Sequence, residues 1–418
     1  MTGFRLVRLM LLVSFAALGS TAVGIEFTVT IKAGEKSSAQ VPIHIPVDEG
    51  IDEQYVYLSG GGHFLFGQIE QTRLMGAKEG NELTFLLPVL DADEELILTG
   101  KTVSEDETPN SFRLVTENEN TLDIRYGKRP ILRSMHEPID RSSPERIGET
   151  YKVYHHVYDP TGEFYVTKGP GGLFPHHRGL FYGFNRISYG ENGTTKADIW
   201  HCKNGERQNR RGAKHGVGGP AFGRDTGMID WHGRDDSVFA EELRELTTYK
   251  AEGGTLIEFA SLLESKVGKV RLDGDPQHAG FQFRASQHVP DNTKDKTYYV
   301  RPDGKAEPGQ FRNWSAKEDE SEENLAHINL PWNALSFVID DQRYTCCYLD
   351  HPGNPKPARY SERDYGRFGS YFEYDMDTDK PLKLNYRIWL QHGEMTVEQI
   401  ARISNGFVSP PNATLEIH

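Results

Sequence analysis

Short segments in which apolar and polar residues alternate recur along this chain between clusters of Gly, Pro, Asn and Asp: FTVTIKA, ELTFLLPVL, GEFYVTK, FQFRAS and LKLNYRIWLQ. A period of two sends one face of each segment to a core and the other to solvent or a second layer, which marks antiparallel strands joined by turns. Long helical periodicity is missing, and only residues 240–250 and 396–404 have the pattern of short helices. The chain is therefore expected to be all-β. Its 418 residues exceed one average domain, so two or three units are expected.

The first 24 residues stand apart from this pattern. MTGFRLVR carries Arg5 and Arg8, LMLLVSFAALG is an uninterrupted apolar run, and Ala22 and Gly24 are small enough for a signal peptidase. Residues 1–24 therefore read as a secretory signal peptide, with export to a periplasm or the cell exterior. The apolar run is too short to span a bilayer, and no later segment approaches the ~20 apolar residues of a spanning helix, so no membrane span is expected in the mature chain. Removing the two arginines takes the formal charge from −14 to −16, which argues against nucleic acid or an anionic membrane surface as partner.

Composition also divides the rest. Residues 25–105 read as a small β-sandwich-like domain, 106–125 as a linker or connecting strand entered through the polar SEDETPN, and 126–418 as the unit in which His, Trp and Arg concentrate. The acidic KEDESEENLAH (317–327) reads as a solvated loop. Cys202, Cys346 and Cys347 are the cysteines. Neighbours on a strand face opposite ways, so at most one of Cys346 and Cys347 meets Cys202, and buried thiols with one optional disulfide are expected.

FPHHRG (174–179) concentrates imidazole between a proline and a glycine. On a strand, His176 and Arg178 share one face and His177 the other, so one histidine works while its neighbour packs. A tight turn at Pro175 instead brings both to one site. DIWHC and IDWHG each set a Trp beside a His, Trp200 with His201 and Trp231 with His232. Indole faces suit the apolar side of a sugar ring, and imidazole donates to or accepts from hydroxyls. In DPQHAGFQFRAS, His278, Gln282 and Arg284 fall on one side, opposite Phe281, Phe283 and Ala285. That polar row is suited to reading hydroxyls and carboxylates along a concave sheet. Asp350 and His351 of LDHPGNP, and Arg363 and Tyr365 of SERDYGRFG, lie where strands end and loops begin, where working groups tend to sit.

GGLFPHHRGLFYGF, DIWHC, GDPQHAGFQFRA and LDHPGNP with RDYGRFG together resemble the successive motifs of the secreted bacterial PmoA-like family of uncharacterised proteins, often labelled methane oxygenase. The resemblance covers roughly residues 126 to 400 and leaves 25–105 outside. Many relatives have Asp-His-Pro ahead of the double histidine, where this chain has Leu173-Phe174-Pro175. The label's namesake is a membrane subunit with several spanning helices, and no such segment follows the signal peptide. What the resemblance implies is a large antiparallel β-sandwich similar to the galactose mutarotase supersandwich, most of whose relatives handle carbohydrates.

The expected function is that of an exported carbohydrate-active enzyme catalysing epimerisation, elimination or hydrolysis on a small-molecule or oligosaccharide substrate. His176, His177, His278, His232, Asp350 and His351 are the candidate catalytic groups. His176, His177 and His278 are alternatively ligands of a divalent metal. Arg178, Trp200, His201, Trp231, Gln282, Arg284, Arg363 and Tyr365 are the candidate substrate contacts. A non-catalytic carbohydrate-binding or surface-assembly protein, and a copper or iron oxygenase, are the competing expectations. Neither the metal nor the oligomeric state is fixed by the sequence.

Overall fold

The alternating segments pair as antiparallel strands in this computed structural model, which describes residues 24–47, 51, 53–108, 110–318 and 321–418. All of the expected signal peptide except Gly24 lies outside the described residues. The strands form sheets of seven, eight, four and nine members. No helix among the described residues is long and apolar enough to cross a membrane.

Two sheets make the large sandwich. In the eight-stranded sheet Leu180–Phe184 lies beside Ala279–Arg284, and in the nine-stranded sheet Val238–Tyr249 and Gly254–Ser265 are central. Leu180, Tyr182, Phe184, Phe281 and Phe283 from the first face Trp231, Phe259, Phe337, Tyr348 and Tyr386 from the second in one continuous core. The Phe281 ring stacks on Phe259 at 4.3 Å and on Tyr386 at 5.0 Å. Each such aromatic side chain contributes about 1.5–3 kcal/mol by leaving water. The all-β antiparallel sandwich expected from the sequence is what forms.

The outer face of the nine-stranded sheet is covered by the helix Val397–Val408, whose Ile400, Ile403 and Phe407 pack on Leu256, Trp332, Cys347 and Trp389. Thr396 and Gln399 close a capping box at its start, satisfying otherwise orphaned N–H groups. A Cβ at Gly406 would lie 2.6 Å from Val41 Cγ2, so only glycine lets this helix approach the strand Ser38–Val47 so closely. The helix expected over 396–404 thus exists.

The one expected over 240–250 does not, because those residues are the strand Val238–Tyr249. Its Leu, Glu and Arg content favours helix locally, but strands pair on both sides of it, and tertiary pairing overrides propensity. The buried Glu242 is satisfied by Trp231 Nε1 at 2.9 Å and Arg244 Nη2 at 2.8 Å.

One boundary also differs from expectation. Asn412–Ile417 does not belong to the large sandwich. It completes the seven-stranded N-terminal sheet by pairing with Glu26–Lys32, Phe27 opposite Ile417, so an otherwise open edge is covered. The stretch 106–125, expected as a linker or connecting strand, holds Phe112–Asn118 and most of Thr121–Tyr126, both strands of the eight-stranded sheet. The acidic stretch carries a short helix, Glu322–Leu325, with Asn324 and His327 buried. All three thiols are free and buried, and Cys346 and Cys347 face different cores as strand alternation requires.

The N-terminal sheet meets the large sandwich through buried charge. Glu82 is held by Arg73 Nη1 at 2.7 Å and lies 3.6 Å from Arg224 Nη2, while His44 Nδ1 is 3.5 Å away. Across the junction, Glu258 pairs with Arg387 and accepts from Tyr249. Burial pulls His44 down to about 4, with Arg73 adding to the effect. Burial opposes ionisation of Glu82, but His44 and the two arginines outweigh it and bring the carboxyl to about 2. Glu258 is likewise lowered to about 2 against its own burial, chiefly by Arg387. All three groups hold fewer protons folded than unfolded, so each contributes stability that is full above its unfolded pKa and lost as pH falls. Guanidinium midpoints are therefore expected to be flat above about pH 6.5 and to fall through pH 4 toward 2. An acid-stable midpoint would remove this network from the junction.

Candidate metal centre

Three turns meet on the outer face of the eight-stranded sheet. FPHHRG is a turn: the His177 N–H donates to the Phe174 carbonyl at 3.0 Å, and Phe174 takes φ +53°. Proline at the second position favours this geometry, and it puts the rings of His176 and His177 only 4.3 Å apart. The second turn runs from Asp198 to His201, and the third from Asp275 to His278, immediately ahead of the strand Ala279–Arg284.

Four imidazoles result. Ring centres are separated by 4.6 Å for His176–His201, 4.8 Å for His201–His278, and 5.4 Å for both His176–His278 and His177–His278. Nitrogens of His176, His177 and His278 all lie within 4.8 Å of one another. His176 Nε2 and His177 Nδ1 are buried and have no hydrogen-bond partner among the described residues.

The second and third turns share a device. In Asp198-Ile-Trp-His201, one carboxylate oxygen accepts the His201 N–H at 2.8 Å and the other meets His201 Nδ1 at 2.8 Å. In Asp275-Pro-Gln-His278, Asp275 meets His278 Nδ1 at 2.9 Å and takes the Asn185 amide at 2.9 Å. A carboxylate on Nδ1 fixes the ring and leaves Nε2 as the lone-pair donor, the arrangement common around metal-ligating histidines.

Electrostatics keep the inner pair neutral. Burial, then the Lys152 ammonium, then His201 and His278, bring His176 down to about 2. Burial and the Arg367 guanidinium hold His177 well below the usual imidazole range. Asp275 is opposed by burial, but the hydrogen bond and charge of His278 keep it below the ordinary carboxylate value. Solvent reaches the group from the side of His278 and His201, whose side chains are 24% and 17% exposed.

Other expected site residues scaffold this group. Arg178 is buried, donates to the carbonyls of Pro175 at 3.0 Å and Glu149 at 2.8 Å, and lies over the Tyr151 ring, so it fixes the turn. Trp200 is fully buried against Phe181 and Tyr154, with His177 5.7 Å away, and presents no face to a sugar. Trp231 is in the core between the sheets, tied to Glu242.

Gln282 and Arg284 do lie on the face opposite Phe281 and Phe283, but that face is covered. The Gln282 amide donates to the Pro276 and Ala279 carbonyls, and Arg284 to those of Ala285 and Tyr365. Tyr365 reaches the centre, 6.3 Å from His177 and 5.0 Å from Phe174, which is 41% exposed. Arg363 bonds the carbonyl beside it, and its N–H donates to the Tyr299 hydroxyl.

Three expected catalytic residues stand elsewhere. His232 is at a strand end with Nδ1 on the Asp236 carbonyl at 2.9 Å. Asp350 is buried and held by Lys356 at 2.9 Å and Asn354 at 2.7 Å. His351 packs on Phe407 of the C-terminal helix. No contact among the described residues links these three to the four-histidine group.

The sequence reading missed Asp198, Asp275 and Lys152. The first two carried a signal, the repeated Asp-x-x-His of DIWH and DPQH. Lys152 had none. It is buried and donates to the carbonyls of His176 at 2.7 Å and Trp200 at 2.6 Å, joining the first two turns.

A family model described as a family of unknown function, DUF6807, matches residues 121–405, a span that contains all four histidines and both aspartates. That description carries no methane-oxygenase label. No curated protein matches the chain. Among solved structures it is similar to a glycosyl hydrolase family 38 protein from Enterococcus faecalis, at 8% identity and a TM-score of 0.40, over 93% of this chain and 47% of that one. An alpha-mannosidase from the same organism gives 7% identity and a TM-score of 0.37, over 94% and 46%. This chain spans about half the length of either, and likenesses this loose say nothing of substrate.

Proposed function

The chain belongs to the DUF6807 family, whose function is unknown, and from the site itself we propose that it is an exported metalloenzyme in which His176, His177 and His278 hold a divalent transition-metal ion and act on a carbohydrate. The supporting observation is the convergence of their ring nitrogens within 4.8 Å. Imidazole donors suit Zn, Cu, Fe or Ni rather than Mg or Ca. His201, oriented by Asp198 in the same way, is placed to serve as a fourth ligand or to face the substrate.

Burial holds His176 and His177 below the usual imidazole range, which disfavours these two as acid–base groups and favours them as ligands. With His176 brought down to about 2, it carries no proton to give at neutral pH and is too weak a base to take one, while its lone pair remains available to a metal. A bound ion would supply Lewis acidity and a lowered pKa for its water. The exposed Phe174, seated against Tyr365, offers an aromatic edge at the mouth on which a sugar ring can rest.

The same all-imidazole donor set favours a second reading, a copper or iron oxygenase, and one experiment separates the two. Elemental analysis of the purified protein is expected to give one equivalent of metal, removed by a chelator. Zinc or nickel fits the carbohydrate reading, and copper or iron with substrate-dependent oxygen uptake fits the oxygenase. Asp275→Asn is expected to weaken metal binding by about 10–100-fold without unfolding the chain. A protein that binds no metal, with or without Asp275, would end the proposal.

A further inference from the structure

Among the described residues, the buried arginines around this centre differ from the other buried arginines in having no carboxylate. Five other buried arginines each have a carboxylate: Arg207 with Asp236, Arg224 with Glu82, Arg244 with Glu242, Arg301 with Glu362 and Arg387 with Glu258. Arg178, Arg284 and Arg367 are as deeply buried, at 1%, 1% and 0% exposure, yet none forms an ion pair with a described residue. Lys152 and Lys168, at 2% and 3%, also have no carboxylate, and burial holds Lys152 well below the usual lysine range and brings Lys168 down to about 7. These five surround the histidine turns in a chain whose formal charge is −14.

Three of them spend their donors on the fold. Lys152 and Arg178 bind carbonyls that shape the turns, and Lys168 binds those of Gly169 and Gly171 in the loop leading into FPHHRG. Arg284 and Arg367 spend only part of theirs there: Arg284 Nη1 donates to the Ala285 and Tyr365 carbonyls, Arg367 Nη1 to the Pro276 carbonyl and Gln282 Oε1, and Arg367 Nη2 to the Ser361 hydroxyl. Arg284 Nε and Nη2 and Arg367 Nε are buried without a partner among the described residues. The Arg284 guanidinium lies 4.9 Å from the centre of the Tyr365 ring, which also neighbours Phe174 and His177. Arg367 is the cross-strand neighbour of Arg284, and its Nη1 donates at 3.3 Å to the carbonyl of Pro276, in the turn that carries His278. Buried charge with unpaired N–H groups is costly unless an anion compensates it. A divalent ion held by the histidines would add further positive charge to the same place.

We propose that the site takes an oxyanionic substrate, a sugar bearing a carboxylate, whose acidic group is bound by Arg284 and Arg367 beside the histidine centre. This deepens the metalloenzyme reading and rests on it only for the location of the reacting atom. Guanidinium binds carboxylate through paired N–H donors; Arg284 has such a pair left in Nε and Nη2, and Arg367 has its Nε. A neutral sugar leaves them unsatisfied, so the site discriminates against it for the same reason that it binds the acid.

Isothermal calorimetry on the full mature chain, with galacturonate, galactose, galactose 6-sulfate and inorganic phosphate as probes, tests this. Galacturonate is expected to bind at least about tenfold more tightly than galactose, the value of one charge-assisted hydrogen bond, and to weaken as salt is raised. Arg284→Gln is expected to erase that preference while leaving metal content unchanged. Arg367→Lys, which keeps the charge, checks for a folding artefact and is expected to retain part of it. A preference for the sulfate or phosphate over galacturonate supports the oxyanion and replaces the carboxylate as its source. Equal affinity for galacturonate and galactose, or no uptake of any anion at millimolar concentration, overturns the proposal. Metal content is measured on the same samples, so anion binding without metal, or metal without anion binding, shows which of the two readings has failed.

Discussion

Protein carrying His278→Ala is expected to emerge from purification with less than about a tenth of the wild-type metal and no measurable turnover, since losing a ligand costs at least the 10–100-fold of losing the carboxylate that orients it. Its fold is expected to persist. His278 lies in a turn outside the two sheets, its side chain is 24% exposed, and its backbone contacts, the N–H to Asp275 and the carbonyl to Asn185, survive the change. Circular dichroism and gel filtration should match wild type while elemental analysis does not. His232→Ala is the control, because that ring lies at a strand end on the Asp236 carbonyl and has no contact with the centre. Wild-type metal content in His278→Ala, or metal loss in His232→Ala, would misplace the site.

The contrast between these two histidines also shows what the sequence made legible. The alternation of FQFRAS correctly put Gln282 and Arg284 opposite Phe281 and Phe283, because strand parity is a local property. Parity does not reveal what covers a face. The row read as an open hydroxyl-binding surface is buried: Gln282 is tied to Pro276 and Ala279 of the turn beside it, and Arg284 lies under Tyr365, some eighty positions later in the chain. Trp200 and Trp231 were misread as stacking platforms for the same reason. Each is large and apolar, and the sequence does not distinguish an indole lining a cleft from one filling a core.

FPHHRG left strand and turn both open, and the choice decided whether two histidines or one reached the site. The left-handed conformation at Phe174 and the hydrogen bond from His177 resolve it in favour of the turn. The aspartates were harder. With so many carboxylates in the chain, spacing alone did not select Asp198 and Asp275, and only the repetition of Asp-x-x-His set them apart. The strand Asn412–Ile417 was illegible because its partner, Glu26–Lys32, stands at the other end of the chain.

Glu362→Ala is expected to have the largest effect on stability, about 3–5 kcal/mol, since breaking a buried pair leaves an uncompensated charge. Glu362 is fully buried and accepts four hydrogen bonds: Arg301 Nε at 2.8 Å and Nη2 at 2.5 Å, the Arg312 N–H at 2.9 Å and Asn333 Nδ2 at 2.9 Å. Alanine strands all four donors, whereas Glu362→Gln keeps the shape and one acceptor and should fall between alanine and wild type. The loss also reaches the site, since Glu362 belongs to the strand Arg359–Arg363, whose turn carries Tyr365 and leads into Arg367. Tyr299 pins that turn by donating its hydroxyl to the Arg363 carbonyl at 2.8 Å and accepting the Arg363 N–H at 3.1 Å. Guanidinium unfolding of the three proteins reads the stability, and metal content of the folded fraction reads the site. If alanine costs less than about 1 kcal/mol, an ordinary surface value, Glu362 does not hold this hairpin. If it costs the expected amount while metal content stays at wild type, the histidine turns are anchored by Lys152 and Arg178 independently of the strand that carries Tyr365.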